Sequence, residues 1–398
     1  MIAGFSVFEL FSAFGTAVTI FLGGITLGRK FAPKPPTAEL DAAKKALDVQ
    51  SARVTELEGN LTGVTAVLDE STDLWLRPQS DPTGHLTRLR RSIPIITVCN
   101  FKGGVGKTTL TSLLASYFDL HQRKRVLLID FDFQGSLTDT LLASADLEHL
   151  EASSRVLLQG DKASDDALRY AVSLHPALSQ SKLFACFYGF NKIENRLTMK
   201  WVTDPQSDLR LQTHRYLSDP LFQQQFDIVI IDAAPRLSLA TVNAFCASTH
   251  VLVPTILDGM STQAALNTLQ VIGEVREKLN PGLELLGVIP TLVTQSQSLN
   301  GREADSLSRM KDRMGDYWRW APPLPHVYES TWICRREAIA KAAGTDLAFT
   351  SDPEVRNMTV ALGDLINQRL FGDGPKDIGE SAGAGSNIAS ISTARRRA

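Results

Sequence analysis

Hydrophobic residues along this chain first run without a break, then recur at heptad spacing, then gather into short blocks joined by helical patterns. Ile2 to Leu27 is apolar apart from small hydroxyl residues and Glu9. As a helix, Leu10 to Leu27 alone would rise about 27 Å, close to the ~30 Å hydrocarbon core of a bilayer. After Pro33, Pro35 and Pro36, the residues Leu40, Leu47, Val54, Leu61 and Leu68 share one heptad position. Ala43, Gln50, Leu57 and Val64 follow the first four of them at the d position. This a/d pattern predicts a coiled coil, against which Gln50, Gly59 and Gly63 count. The other reading is one amphipathic helix packed on its own domain.

From Ile95 onward the pattern is that of alternating strands and helices. Short apolar blocks at Ile95 to Cys99, Val126 to Ile129, Phe226 to Ile231, Val251 to Pro254 and Leu285 to Ile289 predict buried strands. Leu110, Leu113, Leu114 and Phe118 recur at helical spacing, as do Ala265, Leu266, Leu269 and Ile272 in Ser261 to Leu279. The fold expected is α/β, a parallel sheet with helices on both faces and its ligand at the carboxyl ends of the strands. Residues 141–225 map poorly onto this scheme. Their Phe184, Phe187, Tyr188, Phe190 and Trp201, interleaved with basic residues, read as an ordinary insertion or as a surface for a partner or nucleic acid.

The organisation expected is a transmembrane anchor at 1–30, a coiled-coil stalk at 38–70, a linker at 71–92, an ATPase domain at 93–371 and a disordered Gly/Ser/Ala-rich tail at 372–398. Arg29, Lys30 and Lys34 follow the apolar run and no basic residue precedes it. The positive-inside rule therefore predicts a single-pass protein of the bacterial cytoplasmic (inner) membrane, with the domain in the cytoplasm. A cleaved signal peptide would need a basic n-region, which this segment lacks.

A formal net charge of −2 over 398 residues gives no global basic field, so nucleic acid is not the favoured partner. Cys99, Cys186, Cys246 and Cys334 form no C-x-x-C pair, which argues for neutral thiols in a reducing compartment rather than a zinc site or a disulfide framework.

The chemistry begins after the first predicted strand, at Asn100-Phe101-Lys102-Gly103-Gly104-Val105-Gly106-Lys107-Thr108-Thr109. Strand, glycine loop and helix form the setting of a phosphate-binding loop. Glycines let backbone N–H groups curl around phosphate oxygens, and the helix N-terminus adds partial positive charge. Lys107 supplies an ammonium to the β and γ phosphates, and Thr108 a hydroxyl to Mg²⁺. Phe101 stands where the common loop has glycine, and Lys102 adds a second lysine. In this deviant Walker A motif the chain resembles the ParA/MinD family of ATPases. The resemblance implies ATP and Mg²⁺ as ligands, with residues 102–109 around the nucleotide. It also implies a homodimer in which Lys102 reaches the partner's ATP as an electrostatic clamp.

Two further motifs extend the resemblance. Asp130-Phe131-Asp132-Phe133-Gln134-Gly135 closes the second predicted strand, where two carboxylates can orient water and metal-bound water. It resembles the family's switch segment, which implies that Asp132 positions the attacking water and Asp130 supports the Mg²⁺ shell. Asp232-Ala233-Ala234-Pro235 resembles the Walker B element, which implies that Asp232 binds Mg²⁺ through water. The catalytic set expected is thus Lys102, Lys107 and Asp132, and the metal set Thr108, Asp130 and Asp232. Arg335-Arg336-Glu337-Ala338 falls where the family has a segment near the base and the dimer surface.

The function expected is a membrane-anchored ATPase working as an ATP-dependent dimeric switch that recruits or positions a protein partner, with slow, partner-stimulated hydrolysis. A DNA-partition ATPase of the ParA kind is the alternative, and a bacterial tyrosine-kinase-like ATPase the second.

Overall fold

The computed structural model describes residues 45–55, 74–76, 93–148, 153–203, 208–319 and 324–372. The chain divides into two units, Met1–Ala66 and Val67–Ala398. In the first, residues 45–55 form a helix whose side chains are all exposed, Leu47 and Val54 of the heptad among them. The rest of the expected stalk lies outside the described residues, as do segment 1–30 and residues 373–398 of the expected tail.

The expectation of a single-pass inner-membrane protein is corrected. Among the described residues no helix is long and apolar enough to cross a membrane. The longest, Gly259–Lys278, has 20 residues but carries Gln270, Glu274, Arg276 and Glu277 opposite its buried stripe, the pattern of a helix lying on a domain.

The second unit is built on an eight-stranded sheet: β1 (Ile95–Val98), β2 (Val126–Asp130), β3 (Val172–Ser173), β4 (Lys182–Phe184), β5 (Ile228–Asp232), β6 (His250–Thr255), β7 (Glu284–Val293) and β8 (Ile333–Cys334). Their order is β3-β4-β2-β5-β1-β6-β7-β8, and every pairing is parallel except β3 with β4. The expected parallel sheet is therefore present, with one antiparallel edge strand.

Continuous apolar runs become strands because both faces of the sheet are covered. Successive residues alternate between two cores. Ile96, Val98, Leu128, Ile230 and Leu252 pack on one face. Ile95, Leu127, Ile129, Val229 and Ile231 pack on the other, continued by Val251 and Val253. The first face is covered by α1 (Lys107–Ser116), α2 (Ser136–Ser144) and, later in the chain, a helix at Pro353–Phe371. The second is covered by α3 (Phe190–Thr203), α4 (Leu239–Ala247), α5 (Gly259–Lys278) and α6 (Gly301–Tyr317). The helix at Pro353–Phe371 is α7.

Side-chain caps start most of the long helices. Ser238, Asp258, Asn300 and Asp352 accept backbone N–H bonds at α4, α5, α6 and α7. By contrast, α1 and α2 begin on Gly106 and Gly135 in the left-handed region and have no side-chain cap. The first turn of α2 is instead held by Asp130, whose Oδ2 accepts Thr138 N at 3.0 Å, while the start of α1, at the carboxyl end of β1, is left for an anion to satisfy.

In two segments the structure adds to the sequence reading. Phe184, Phe190 and Trp201 of the poorly mapped insertion are buried core, which favours the ordinary-insertion reading, while Tyr188 is 73% exposed. Within the expected linker, Leu74–Leu76 is a 3-10 turn docked on the domain, with Leu76 buried. The Trp75 ring stacks on Trp201 at 5.6 Å, and Trp75 O accepts a bond from Arg210 Nη1 at 2.9 Å. A run of three residues is too short to show periodicity, so nothing in its pattern signalled docking.

Candidate functional site

At the carboxyl ends of β1, β2 and β5, three loops meet. The order β2-β5-β1 sets Asp130 opposite Asp232, and Asp232 opposite Val98, on adjacent strands. The loop after β1 turns through Gly104 (φ 73°) and Gly106 (φ 82°), a backbone region that side-chain-bearing residues rarely enter. Phe101 stands outside the left-handed region, so its backbone does not require the usual glycine; its partly buried side chain packs against the core beside α5 and its N–H donates to Thr268 Oγ1 at 3.2 Å.

Gly103, Gly104, Gly106, Lys107, Thr108 and Thr109 line one cavity of about 650 Å³, together with Asp132 and Gln134 of the switch segment. Lys107 is nearly buried, and its Nζ donates to Lys102 O across the loop at 3.2 Å. Val105 is fully buried and does not line the cavity; its carbonyl accepts a bond from Thr291 Oγ1 at 2.7 Å. Lys102 does not line the cavity. Its ammonium lies on α5, 2.7 Å from Ser261 Oγ and 3.6 Å from Asp258 Oδ1.

The carboxylates differ in surroundings. Asp232 is buried, and its Oδ2 accepts the Thr108 hydroxyl at 2.7 Å while its Oδ1 is buried with no hydrogen-bond partner among the described residues. Burial pushes its carboxyl up to about 7, against the Thr108 bond and the Lys107 charge. An unsatisfied carboxylate oxygen beside a threonine hydroxyl fits a hydrated divalent cation, and hard oxygen donors with room for water suit Mg²⁺. Asp130 is also held well above the ordinary range, first by burial and then by the Asp232 charge. Its oxygens accept from Asp132 N at 3.0 Å and from Thr138 N and Oγ1 at 3.0 and 2.8 Å. As placed, Asp130 ties the switch segment and α2 to β2. Asp132 faces the cavity, and its Oδ1 accepts Gln134 N at 3.1 Å.

The structure adds residues that no motif announced. Leu292, Ile339, Ala343, Gly344 and Ala348 line the far end of the cavity. Gly344 N donates to Thr140 Oγ1 of α2 at 2.9 Å, joining that end to the switch helix. The Arg335 to Ala338 segment lies immediately before this wall, and its position was the available signal. On the switch side, the Phe133 ring meets Tyr188 at 6.2 Å between centroids and the Arg236 guanidinium at 5.2 Å. Arg236 Nη2 in turn donates to Glu194 Oε2 of α3 at 2.5 Å. The insertion therefore touches both the switch segment and the loop after β5.

Residues 93–285 match a family model described as an AAA domain. Uncharacterised proteins of two Mycobacterium tuberculosis strains are 30% identical over 225 residues, 56% of this chain and 64% of their own length. The chain thus spans somewhat under two thirds of these relatives. The chromosome-partitioning ATPase Soj of Thermus thermophilus is 32% identical over 204 residues, 51% of this chain and 71% of Soj. Among solved structures, the cobyrinic acid a,c-diamide synthase of Mycobacterium smegmatis with a bound ATP analogue and magnesium is 28% identical at a TM-score of 0.50, covering 64% of this chain and 93% of that one. With a glycine loop lining a cavity, a carboxylate pair behind it, and 32% identity to Soj over 71% of its length, this chain is a member of the ParA family of P-loop ATPases.

Proposed function

We propose that this chain is an ATP-hydrolysing switch that pairs with a second copy when ATP is bound, separates after hydrolysis, and recruits or positions a protein partner in one of the two states. The single observation that carries this reading is the opposite placement of two lysines of one loop. Lys107 lines the cavity, while Lys102 stands on a solvent-open edge outside it. In this reading one lysine serves the chain's own nucleotide and the other the nucleotide of the second copy.

In this reading the glycine loop and the uncapped start of α1 hold the phosphates, and Lys107 neutralises their charge. Mg²⁺, when bound beside Thr108 and Asp232, would screen the β- and γ-phosphate oxygens. Asp132 orients the attacking water, and Asp130 keeps Asp132 at its post. Lys102 of each copy stabilises charge on the other's γ-phosphate. Hydrolysis is slow until a partner completes the geometry. The cobyrinic acid a,c-diamide synthase bound to an ATP analogue and magnesium supports the choice of ligands.

The test is ATP-dependent self-association of the full chain, read against ADP. Lys107→Ala is expected to weaken ATP binding about 10- to 100-fold, the worth of one or more charge-assisted bonds. Lys102→Ala is expected to keep ATP binding and lose the pairing. Pairing that ignores both nucleotide and Lys102 would sink the reading.

Because the Thermus relative is a chromosome-partitioning ATPase, a second reading has DNA as the cargo. ATP-dependent DNA binding that weakens steeply with salt would put it first.

A further inference from the structure

The Lys102 ammonium rests on a seat built independently of it. Ser261 N and Ser261 Oγ donate to the two Asp258 carboxylate oxygens at 2.7 and 2.8 Å, so the carboxylate is oriented by the first turn of α5 alone. Lys102 Nζ then donates to Ser261 Oγ. The backbone under Lys102 is tied down separately. Lys102 N donates to Asn100 Oδ1 at 3.0 Å, Asn100 Nδ2 donates to Pro254 O at 2.8 Å, and Phe101 N donates to Thr268 Oγ1. The loop is therefore fixed to β6 and α5, and only the lysine stem has freedom to swing. The seat opens to solvent: the Lys102 and Asp258 side chains are 29% and 45% exposed, and the neighbouring Met260 is 76% exposed.

We propose that Asp258 and Ser261 hold Lys102 in a resting position that it must leave to reach ATP on a second copy, so that Asp258 is a positioning residue setting the threshold for ATP-dependent pairing. The proposal rests on the dimeric reading above. One ammonium cannot satisfy the seat and a partner's γ-phosphate together, so each pairing event breaks the seat's contacts. A half-exposed ion pair is worth no more than about fivefold in an equilibrium, and a two-fold dimer opens two of them. Removing the seat should therefore favour pairing by about two- to twentyfold. Keeping Lys102 on α5 also keeps it away from the chain's own phosphates, where Lys107 already supplies the charge.

The experiment is sedimentation of the full chain with ATP and Mg²⁺, and with ADP and Mg²⁺, over a range of protein concentrations. Four proteins are compared: wild type, Asp258→Asn, Ser261→Ala, and Glu274→Gln, which removes the same charge from α5 well away from Lys102. Asparagine can still cap α5, and thermal unfolding checks that each variant is folded. The expected result is an ATP-specific pairing midpoint two- to twentyfold lower for Asp258→Asn and Ser261→Ala and unmoved for Glu274→Gln. A midpoint that stays or rises in Asp258→Asn, or falls equally in Glu274→Gln, overturns the seat alone. A wild type that binds ATP but never pairs in response to it overturns the dimeric reading and the seat with it.

Discussion

Asp130, Asp132 and Asp232 are three carboxylates within one cluster of strand ends, and burial assigns them different work. Asp232 keeps an unsatisfied oxygen next to Thr108, which suits a hydrated cation. Asp130 spends its oxygens on Thr138 and Asp132. Of the three, Asp132 is the one that lines the cavity, and its Oδ1 accepts a backbone N–H of its own turn. If Asp132 orients the attacking water, Asp132→Ala should slow single-turnover hydrolysis by about 10²- to 10⁴-fold, the usual worth of a positioned acid–base group. ATP affinity should change only a few-fold, and the ATP-bound pair should persist. A drop in affinity matching the drop in rate would place Asp132 in binding instead.

Elements transmit what these residues do. The helix α3 reaches the switch segment through the contact of Phe133 with Arg236, and Glu194 anchors Arg236 while accepting Ala240 N at 2.9 Å from the start of α4. At the opposite end of the sheet, Arg125 clamps β2 to β5. Its N, Nε and Nη2 donate to the Asp227 carboxylate at 2.8, 3.2 and 2.7 Å, and Nη1 donates to Gln224 O at 2.8 Å. These Arg125 bonds hold the Asp227 carboxyl below its ordinary value, although burial opposes them. A carboxylate whose folded pKa is depressed stabilises the fold above its unfolded value, about 3.9, and loses that contribution as pH falls through the folded value. Arg125→Ala should therefore destabilise the domain at pH 7 by less than about 1 kcal/mol, since the pair is partly exposed. As pH falls from about 3.9 through the lower folded value, the difference should shrink toward the part owed to Gln224 O. Denaturant unfolding of both proteins at the two pH values measures it; a gap that does not narrow in acid would rule out the ion pair as its source.

The whole second unit begins earlier than the match at residue 93. Leu74–Leu76 is part of its packing, through Leu76 in the core and Trp75 on Trp201. Arg210 joins the stack, its guanidinium 4.9 Å from the Trp201 ring. Because Trp75 is only half-buried, Trp75→Ala should cost about 1–3 kcal/mol, less than the 3–5 of a fully buried aromatic. The measurement is denaturant unfolding followed by tryptophan fluorescence, and an unchanged midpoint would show the docking to be incidental. A fragment cut at Ile93 should be less stable than one that keeps residues 74–76.

Local chemistry determined what was legible in advance. A short, mostly apolar strand, then Lys102 to Thr109, then a helical period reports a phosphate loop from neighbours in sequence alone, because each group acts through the backbone beside it. The aspartates closing β2 and β5 were legible for the same reason: a buried strand ends where its first charge appears. The parallel sheet followed from apolar runs that only two covered faces can explain. Other features arise from residues distant in sequence, and only folding brings those together. Lys102 meets Ser261 across 159 positions, Gly344 meets Thr140 across 204, and Trp75 meets Arg210 across 135. The membrane expectation failed for a related reason. Hydropathy over a window reports a segment's apolar content alone, and among the described residues no helix is both long and apolar enough to cross a membrane. Tertiary structure alone decided which carboxylate kept an open oxygen and where the second lysine rests, because both depend on what the fold packs against them.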